Sequence, residues 1–477
     1  MQDTLQTLTT KINATLAQGN FYYLSNDPER ALGLEGIIKP FNIVYIDQSQ
    51  LSQLLKAAGV NTYCLDEQQE EEVFRSSIKL IRNAHFQKYF QETKGAVNFV
   101  QTFKISPAFE KAVTELGAKS INTKAELNRL FENKISQYQE ISTLNISLPK
   151  TIITSLSHKS YAELSAELGA DFVVQFDRGH TGMGTVFVST EADYIALIAK
   201  FPQRIVKISE LVVGVPYTVN AAVLKQGIVM GGLSRQITGI IELTNQAGAT
   251  VGNDFSYHQD FVNGKQNLIA EITKIGEHMR SKGYLGMFGL DLLVKPDGSH
   301  VFIEINARQP ASIPMFTKIQ LKDNQIPLAL LHLAEFLEVA YEIDIAKYNE
   351  LNLLPQEFSQ IFVRALKDEE VHYQVAMGYY RLQGDNAAVD RVTGQAKPNT
   401  IFLDEDRDKA LLFIEPGYDV TKADTAGMII LTPMLGRKLK INDEIGRIQL
   451  QQGAFANATS LKPWITEALI AIRDYQV

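Results

Sequence analysis

The segment GMFGLDLLVKPDGSHVFIEINAR, residues 286–308, constrains this chain more than any other. Asp297-Gly298 separates two apolar runs. Such a pair favours a two-residue type I′ hairpin turn, whose central positions both need positive φ. With that turn, Leu290 faces Ile305, Leu292 faces Ile303 and Val294 faces Val301. Those six side chains share one apolar, core-forming face. The other face sets Asp291, Leu293 and Lys295 against Glu304, Phe302 and His300. Asp291 then lies directly across from Glu304, with Asn306 two residues further on. Facing carboxylates repel and weaken a strand pair. A divalent cation between them reverses that sign, and the oxygens of Asp, Glu and Asn suit Mg²⁺. The plainer alternative is a solvated acidic face. Arg308 comes just after the acidic strand end, where a guanidinium suits an anionic substrate or a transferring phosphate.

The rest of the chain reads as a multi-domain globular protein. It has 477 residues, 45% of them hydrophobic and 21% charged, enough to bury a core without staples. A net charge of −8 argues against a general polyanion binder, since phosphate backbones select basic surfaces. The single cysteine, Cys64, forms no internal disulfide and reads as a buried apolar residue. No apolar run approaches the roughly 18 residues of a membrane span. MQDTLQTLTTKINATLAQ lacks a secretory signal, so a cytoplasmic protein is expected.

The element pattern divides the chain into three units. Residues 1–119 alternate strand and helix candidates, with IIKPFNIVYID and AVNFVQTF as strands and SPAFEKAVTELGA as a helix. Residues 120–345 open on a Thr123/Glu126 capping box ahead of ELNRLFENKISQYQEI. A second box, Ser160 with Glu163, precedes YAELSAELGA, and KQNLIAEITKIGEHMRSKG carries one apolar face. Residues 346–477 hold short strands with turn signals and a terminal helix, a mostly β module.

Asp291 and Glu304-Ile305-Asn306-Ala307-Arg308 resemble the hallmark of the ATP-grasp superfamily. The implied fold is α+β: an ATP-grasp domain with an N-terminal α/β domain and a C-terminal mostly β accessory domain. The resemblance implies that Asp291, Glu304 and Asn306 hold two Mg²⁺ ions on ATP phosphates, with Mn²⁺ as an alternative. It implies that Arg308 contacts the acyl phosphate or carboxylate. LFENKISQYQEISTLNISLPKTII is similar to the family's entry segment, which makes Lys134 the lysine reaching the phosphates. HTGMGT resembles the Gly-containing loop over those phosphates, where Gly182 and Gly184 let backbone N–H groups approach. IVKISELVVGVPYTV is similar to the adenine-binding hinge. The backbone of Lys207, Ile208, Ser209 and Glu210 would read the base, Ile208 and Leu211 would line its pocket, and Glu210 would reach the ribose. Where the family has a second lysine before the Gly loop, this chain has Gln175. Arg178, Lys207 or Arg235 are the candidates for the missing cation.

The segment 231–261 is long, polar and Gly-rich. Within it Arg235 is a candidate for a substrate carboxylate or phosphate, Asn253 and Asp254 for the pocket wall. His258 reads as a structural histidine. The resemblance implies an ATP-dependent ligase that joins a small-molecule carboxylate to an amine, with no nucleic-acid or membrane partner. It also makes a homodimer an expectation. Bicarbonate activation, as in a biotin carboxylase-like enzyme, and a non-catalytic nucleotide-binding module are the alternatives.

Overall fold

The structure is a computed structural model. It describes the chain apart from residues 1, 69–74, 178–183, 241–242, 245–247, 263, 371–374, 385–397, 404–408, 424–426, 432–437 and 475–477. The N-terminal part is a parallel sheet of five strands: β1 (Gly19–Ser25), β2 (Asn42–Tyr45), β3 (Asn61–Cys64), β4 (Val97–Thr102) and β5 (Lys119–Ser120). Their spatial order is β3-β2-β1-β4-β5. The helix Pro107–Glu115 starts on a Ser106 cap with Pro at its first turn, as its sequence demands. Cys64 is buried with its thiol pushed up to about 12 by burial, so it is a core residue.

A second sheet contains β6 (Thr151–Ser155), β7 (Phe172–Phe176), β8 (Thr185–Val188) and β9 (Ile205–Glu210), in the order β6-β9-β7-β8. The third begins with β10 (Val215–Leu224), β11 (Gly227–Thr238), β12 (Thr250–Asp254), β13 (Gly286–Val294) and β14 (His300–Asn306). It continues through β15 (Ser359–Arg364). A two-residue strand, β16 (Glu369–Glu370), stands apart and pairs with β21 (Lys438–Leu439). Then come β17 (Gly378–Gly384), β18 (Ile401–Phe402), β19 (Lys409–Glu415), β20 (Gly427–Leu431) and β22 (Glu444–Leu450). The third sheet has 11 strands in the order β14-β13-β10-β11-β12-β15-β22-β20-β17-β19-β18. The strands after residue 358 therefore extend the central sheet, because β15 hydrogen-bonds to β12 through Asn253↔Gln360 and its neighbours.

The helix Gln266–Ser281 buries Leu268, Ile272, Ile275 and Met279 against Tyr217, Val219, Leu290 and Leu292. That is one face of the central sheet. Helices Ile313–Lys322 and Leu328–Phe336 share the other large core with the N-terminal sheet. The polar edge of β13 and β14 lies on this second side. One predicted helix divides. Ala125–Glu132 ends at Asn133, whose side chain accepts from the N–H of Ile135 and Ser136 and starts a new helix, Lys134–Ile141. Thr123 makes no capping box there, since Lys124 occupies the N-cap.

His332 ties the layers together. It is buried, its Nε2 donates to the carbonyl of Ile121 at 2.9 Å, and its Nδ1 accepts from the N–H of Met287 at 3.1 Å. Gly286, at φ +95°, is needed beside it, because an added Cβ would lie 2.4 Å from Nδ1. Burial depresses the imidazole to about 4. The unfolded chain, with His near 6.5, therefore binds more protons between those values. This contribution to stability is complete above pH 6.5 and is lost as pH falls toward 4, by roughly 3 kcal/mol. Urea unfolding at pH 7, 5.5 and 4.5 is expected to show that acid limb, flattened in His332→Gln. An unchanged slope in the variant would assign the limb to other groups.

Candidate active site

The acidic hairpin differs from its simplest reading at the turn and agrees at the acids. Lys295 N–H donates to Ser299 O, and Gly298 N–H to Lys295 O. The loop is thus Pro296-Asp297-Gly298, a turn closed by Gly298 at φ +78°, as in three-residue hairpins with a left-handed last residue. Near the turn the pairs are Val294↔His300 and Leu292↔Phe302. Phe302, rather than Ile303, therefore enters the core. A bulge between Asp291 and Leu292 then absorbs one residue. Beyond it Asp291 faces Glu304 and Leu290 faces Ile305.

Donors surround the Asp291 carboxylate. Thr218 and Gln236 donate to its Oδ1 at 2.7 and 2.9 Å, and Asn306 to its Oδ2 at 2.9 Å. Lys134, the first residue of its helix, places Nζ 2.7 Å from Glu304 Oε2. Even so, burial and then the Glu304 charge raise Asp291 to about 6. A cation of charge two relieves that strain, and two carboxylates with the Asn306 amide are the hard donors Mg²⁺ prefers. The residues present fit such an ion, although no cluster of three or more His, Cys, Asp or Glu residues occurs among the described residues.

β14 is the sheet's edge, and its backbone is covered from outside. Gln137 Oε1 accepts from Ile305 N–H at 2.6 Å and Asn128 donates to the Ala307 carbonyl at 2.7 Å. The two helices split at Asn133 therefore fix the hairpin as well as Lys134.

Lys207 enters from β9. It is buried directly opposite Gln175 on β7, with Nζ 3.4 Å from the Ile303 carbonyl and 5.7 Å from the Tyr138 ring centroid. Burial and then Lys134 lower its ammonium to about 8. Gln175 itself donates weakly to Thr185 at 3.4 Å. Among the three candidates for a substituting cation, the structure brings Lys207 to the acids. Arg178 lies outside the described residues, as do Gly179 and Gly182. Gly184 is described, at φ +108°.

The hinge needs correction. β9 is flanked by β6 and β7, so the sheet ladder already occupies the backbone from Lys207 to Ser209. Glu210 N–H donates to Lys150 O, and its carboxylate accepts from Lys150 N–H at 2.8 Å, which turns it away from a ribose role. Ile208 is fully buried in the core under the helices of this sheet, because alternate residues of a strand point oppositely. Leu211 stands exposed where β9 ends.

Arg235 also departs from expectation. It pairs with Tyr217 and Asp254, on the sheet face opposite Thr218 and Asp291. There its guanidinium lies between the rings of Tyr257 and Phe455, at 4.6 and 4.1 Å, and donates to the Ala458 carbonyl. Asp254 is on that face too, accepting from Ser256 and from Ala454 N–H. Asn253 remains on the Gln236 side and donates to Ser234 at 3.0 Å. His258 is half-buried, held by the Leu233 carbonyl and Lys265. Arg308 pairs with Glu132, which also holds Lys104. The residues that sequence reasoning misses are Thr218, Gln236 and Gln137, ordinary strand or helix polar residues until the register is known.

Residues 131–312 match the family model described as an ATP-grasp domain. No curated protein matches the chain. Among solved structures, the biotin carboxylase domain of Hydrogenobacter thermophilus 2-oxoglutarate carboxylase, in complex with MgADP, ADP and bicarbonate, has a TM-score of 0.58. Its identity is 8%, over 91% of this chain and 86% of that one. Campylobacter jejuni biotin carboxylase gives 0.58 at 13% identity, over 92% and 88%. The N5-carboxyaminoimidazole synthase of Aspergillus clavatus, in complex with ADP and its ribonucleotide, gives 0.55 at 12%, over 96% and 99%. The family match spans the acidic hairpin and the likeness of fold spans more than nine-tenths of the chain, so residues 131–312 match an ATP-grasp domain and the chain has the ATP-grasp fold.

Proposed function

We propose that this chain is an ATP-dependent ligase that phosphorylates a small-molecule carboxylate and transfers the acyl group to an amine, releasing ADP and phosphate. The observation that carries the reading is the opposed pair Asp291 and Glu304 with two buried lysines, Lys134 and Lys207, at the same spot. Opposite charges so arranged suit the phosphates of Mg·ATP. Asp291, Glu304 and Asn306 would hold the metal, which supplies charge neutralisation along the phosphate chain. Lys134 and Lys207 would bind phosphate oxygens, taking the place of a lysine at Gln175. Thr218 and Gln236 keep the Asp291 carboxylate aimed. Arg308 would meet the developing charge at the reacting carboxylate.

A second reading, bicarbonate activation, is favoured by one observation. Two biotin carboxylase structures share its fold over 91–92% of this chain. A phosphate-release screen with Mg·ATP and pooled amino acids, with and without bicarbonate, separates the two. Release that needs paired amino acids supports the ligase; release that needs only bicarbonate replaces it. A non-catalytic module would release none.

Two variants test the site. Asp291→Asn and Glu304→Gln are expected to lose turnover by about 100-fold or more while remaining folded by circular dichroism, as loss of transition-state charge stabilisation does. Wild-type turnover in either variant would move the active site elsewhere. Lys207→Met is expected to weaken Mg·ATP binding by roughly 10-fold or more, the usual loss of a charge-assisted hydrogen bond. Isothermal calorimetry reads this directly, and unchanged affinity would leave the phosphates without Lys207.

A further inference from the structure

The N-terminal sheet offers a second place for a ligand. All its strand pairs are parallel, and the order reverses between β1 and β4, with β2 and β3 on one side and β5 on the other. At such a reversal the connections leave in opposite directions, opening a crevice outside the strand carboxyl ends. The chain leaving β1 there carries Arg30. The chain leaving β4 carries Phe103 and Lys104. From the central sheet, Arg308 comes to the same spot.

Arg30 and Arg308 share one aromatic ring. Their guanidinium carbons lie 4.6 and 5.6 Å from the centroid of Phe103. Two guanidiniums over one ring repel unless negative charge accompanies them. Glu132 is the carboxylate at hand, and it is bonded to both Arg308 and Lys104. Three cations thus gather here, two of them sharing Glu132, while the charge of Glu29 is divided between Arg30 and Arg447. Glu29, next to Arg30 in sequence, turns to Arg447 at 2.7 Å. Arg30 Nη1 is buried with no hydrogen-bond partner among the described residues. A charged donor left so is costly, and a planar anion is what its fork fits. Amides border the place: Gln309 donates to the Arg30 carbonyl and accepts from Tyr23.

We propose that Arg30 and Arg308 form a carboxylate-binding site at this switch point, with Arg30 as the residue that anchors the acid substrate. Calling the ligand a substrate rests on the ligase reading; the binding itself does not. The Arg308 side of the site adjoins the Glu304 strand, so a carboxylate held there would lie on the side of the phosphates. Arg30 contributes grip and orientation, from a part of the chain that the ATP-grasp match does not reach.

The full-length protein is titrated by calorimetry with malonate, with bicarbonate and with inorganic phosphate, none of which needs turnover. Malonate is expected to bind the wild type, and Arg30→Met to weaken that binding about 10-fold or more, as loss of a charge-assisted contact does. Arg30→Lys, which keeps the charge without the fork, is expected to fall between them. Melting by circular dichroism and Mg·ADP affinity within about twofold of wild type show that each variant is intact. Equal malonate affinity in wild type and Arg30→Met overturns the proposal, as does a wild type that binds no malonate. Phosphate bound more tightly than either malonate or bicarbonate overturns the carboxylate assignment. Should the amino-acid screen release no phosphate, the ligase reading fails while an Arg30-dependent malonate affinity still stands.

Discussion

Asp291 and Glu304 face each other across two hydrogen-bonded strands, and a sheet does not tolerate that pair without compensation. Much of the surrounding structure supplies it. Three side chains donate to Asp291 and one lysine to Glu304. The sources are far apart in sequence: β10, β11, β14 and the helix that begins at Lys134. Building one repulsive contact therefore fixes how four elements meet. A core of Leu290, Leu292, Phe302 and Ile305 on the reverse face holds the two strands in register against the repulsion, since slipping by one residue would turn those side chains into the polar cleft.

The acid pair is legible in the sequence because alternation carries the register from a turn to the strand end. The Asp-Gly signal points to the wrong turn type, and the bulge beside Asp291 cancels the error. Phe302 shows the cost: between turn and bulge, the inward residue is the neighbour of the one expected. Helix ends are legible where a cap agrees with periodicity, as at Ser106 and Ser160. The break at Asn133 is not, although an asparagine within a helical pattern can cap a second helix. Arg235 illustrates a different limit. Its chemistry suits an anion, but which face of β11 it occupies depends on pairing with Tyr217 and Asp254, strands whose register no local signal fixes. The hinge backbone fails similarly, because being a central strand is a property of the neighbours.

The strands after residue 358 belong to the same hydrogen-bonded sheet as the acids. Gln236, Asn253, Gln360 and Gln449 are paired in succession across it. They are amides on the side of Asp291, the last three of them buried, and Gln449 donates to Gln360 and Gln360 to Asn253, each at 3.4 Å. Arg447, on the same strand as Gln449, ties this end of the sheet to Glu29 of the N-terminal part at 2.7 Å. The polar row thus runs from the hairpin to the C-terminal strands, whose Arg447 meets the N-terminal part at Glu29. Such buried polar rows hold a single arrangement because any slip leaves donors unmatched.

The Lys134–Glu304 ion pair has a thermodynamic corollary. One ammonium and one carboxylate neutralise each other at 2.7 Å, so each is the other's competitor for a third group. An anion that recruits Lys134 liberates the carboxylate, and a cation that recruits Glu304 liberates the ammonium. Whichever arrives first lowers the work of seating the second, and the assistance must be equal in both directions. On the proposed reading, nucleotide and metal would in that sense be a single ligand, linked through a contact that belongs to neither.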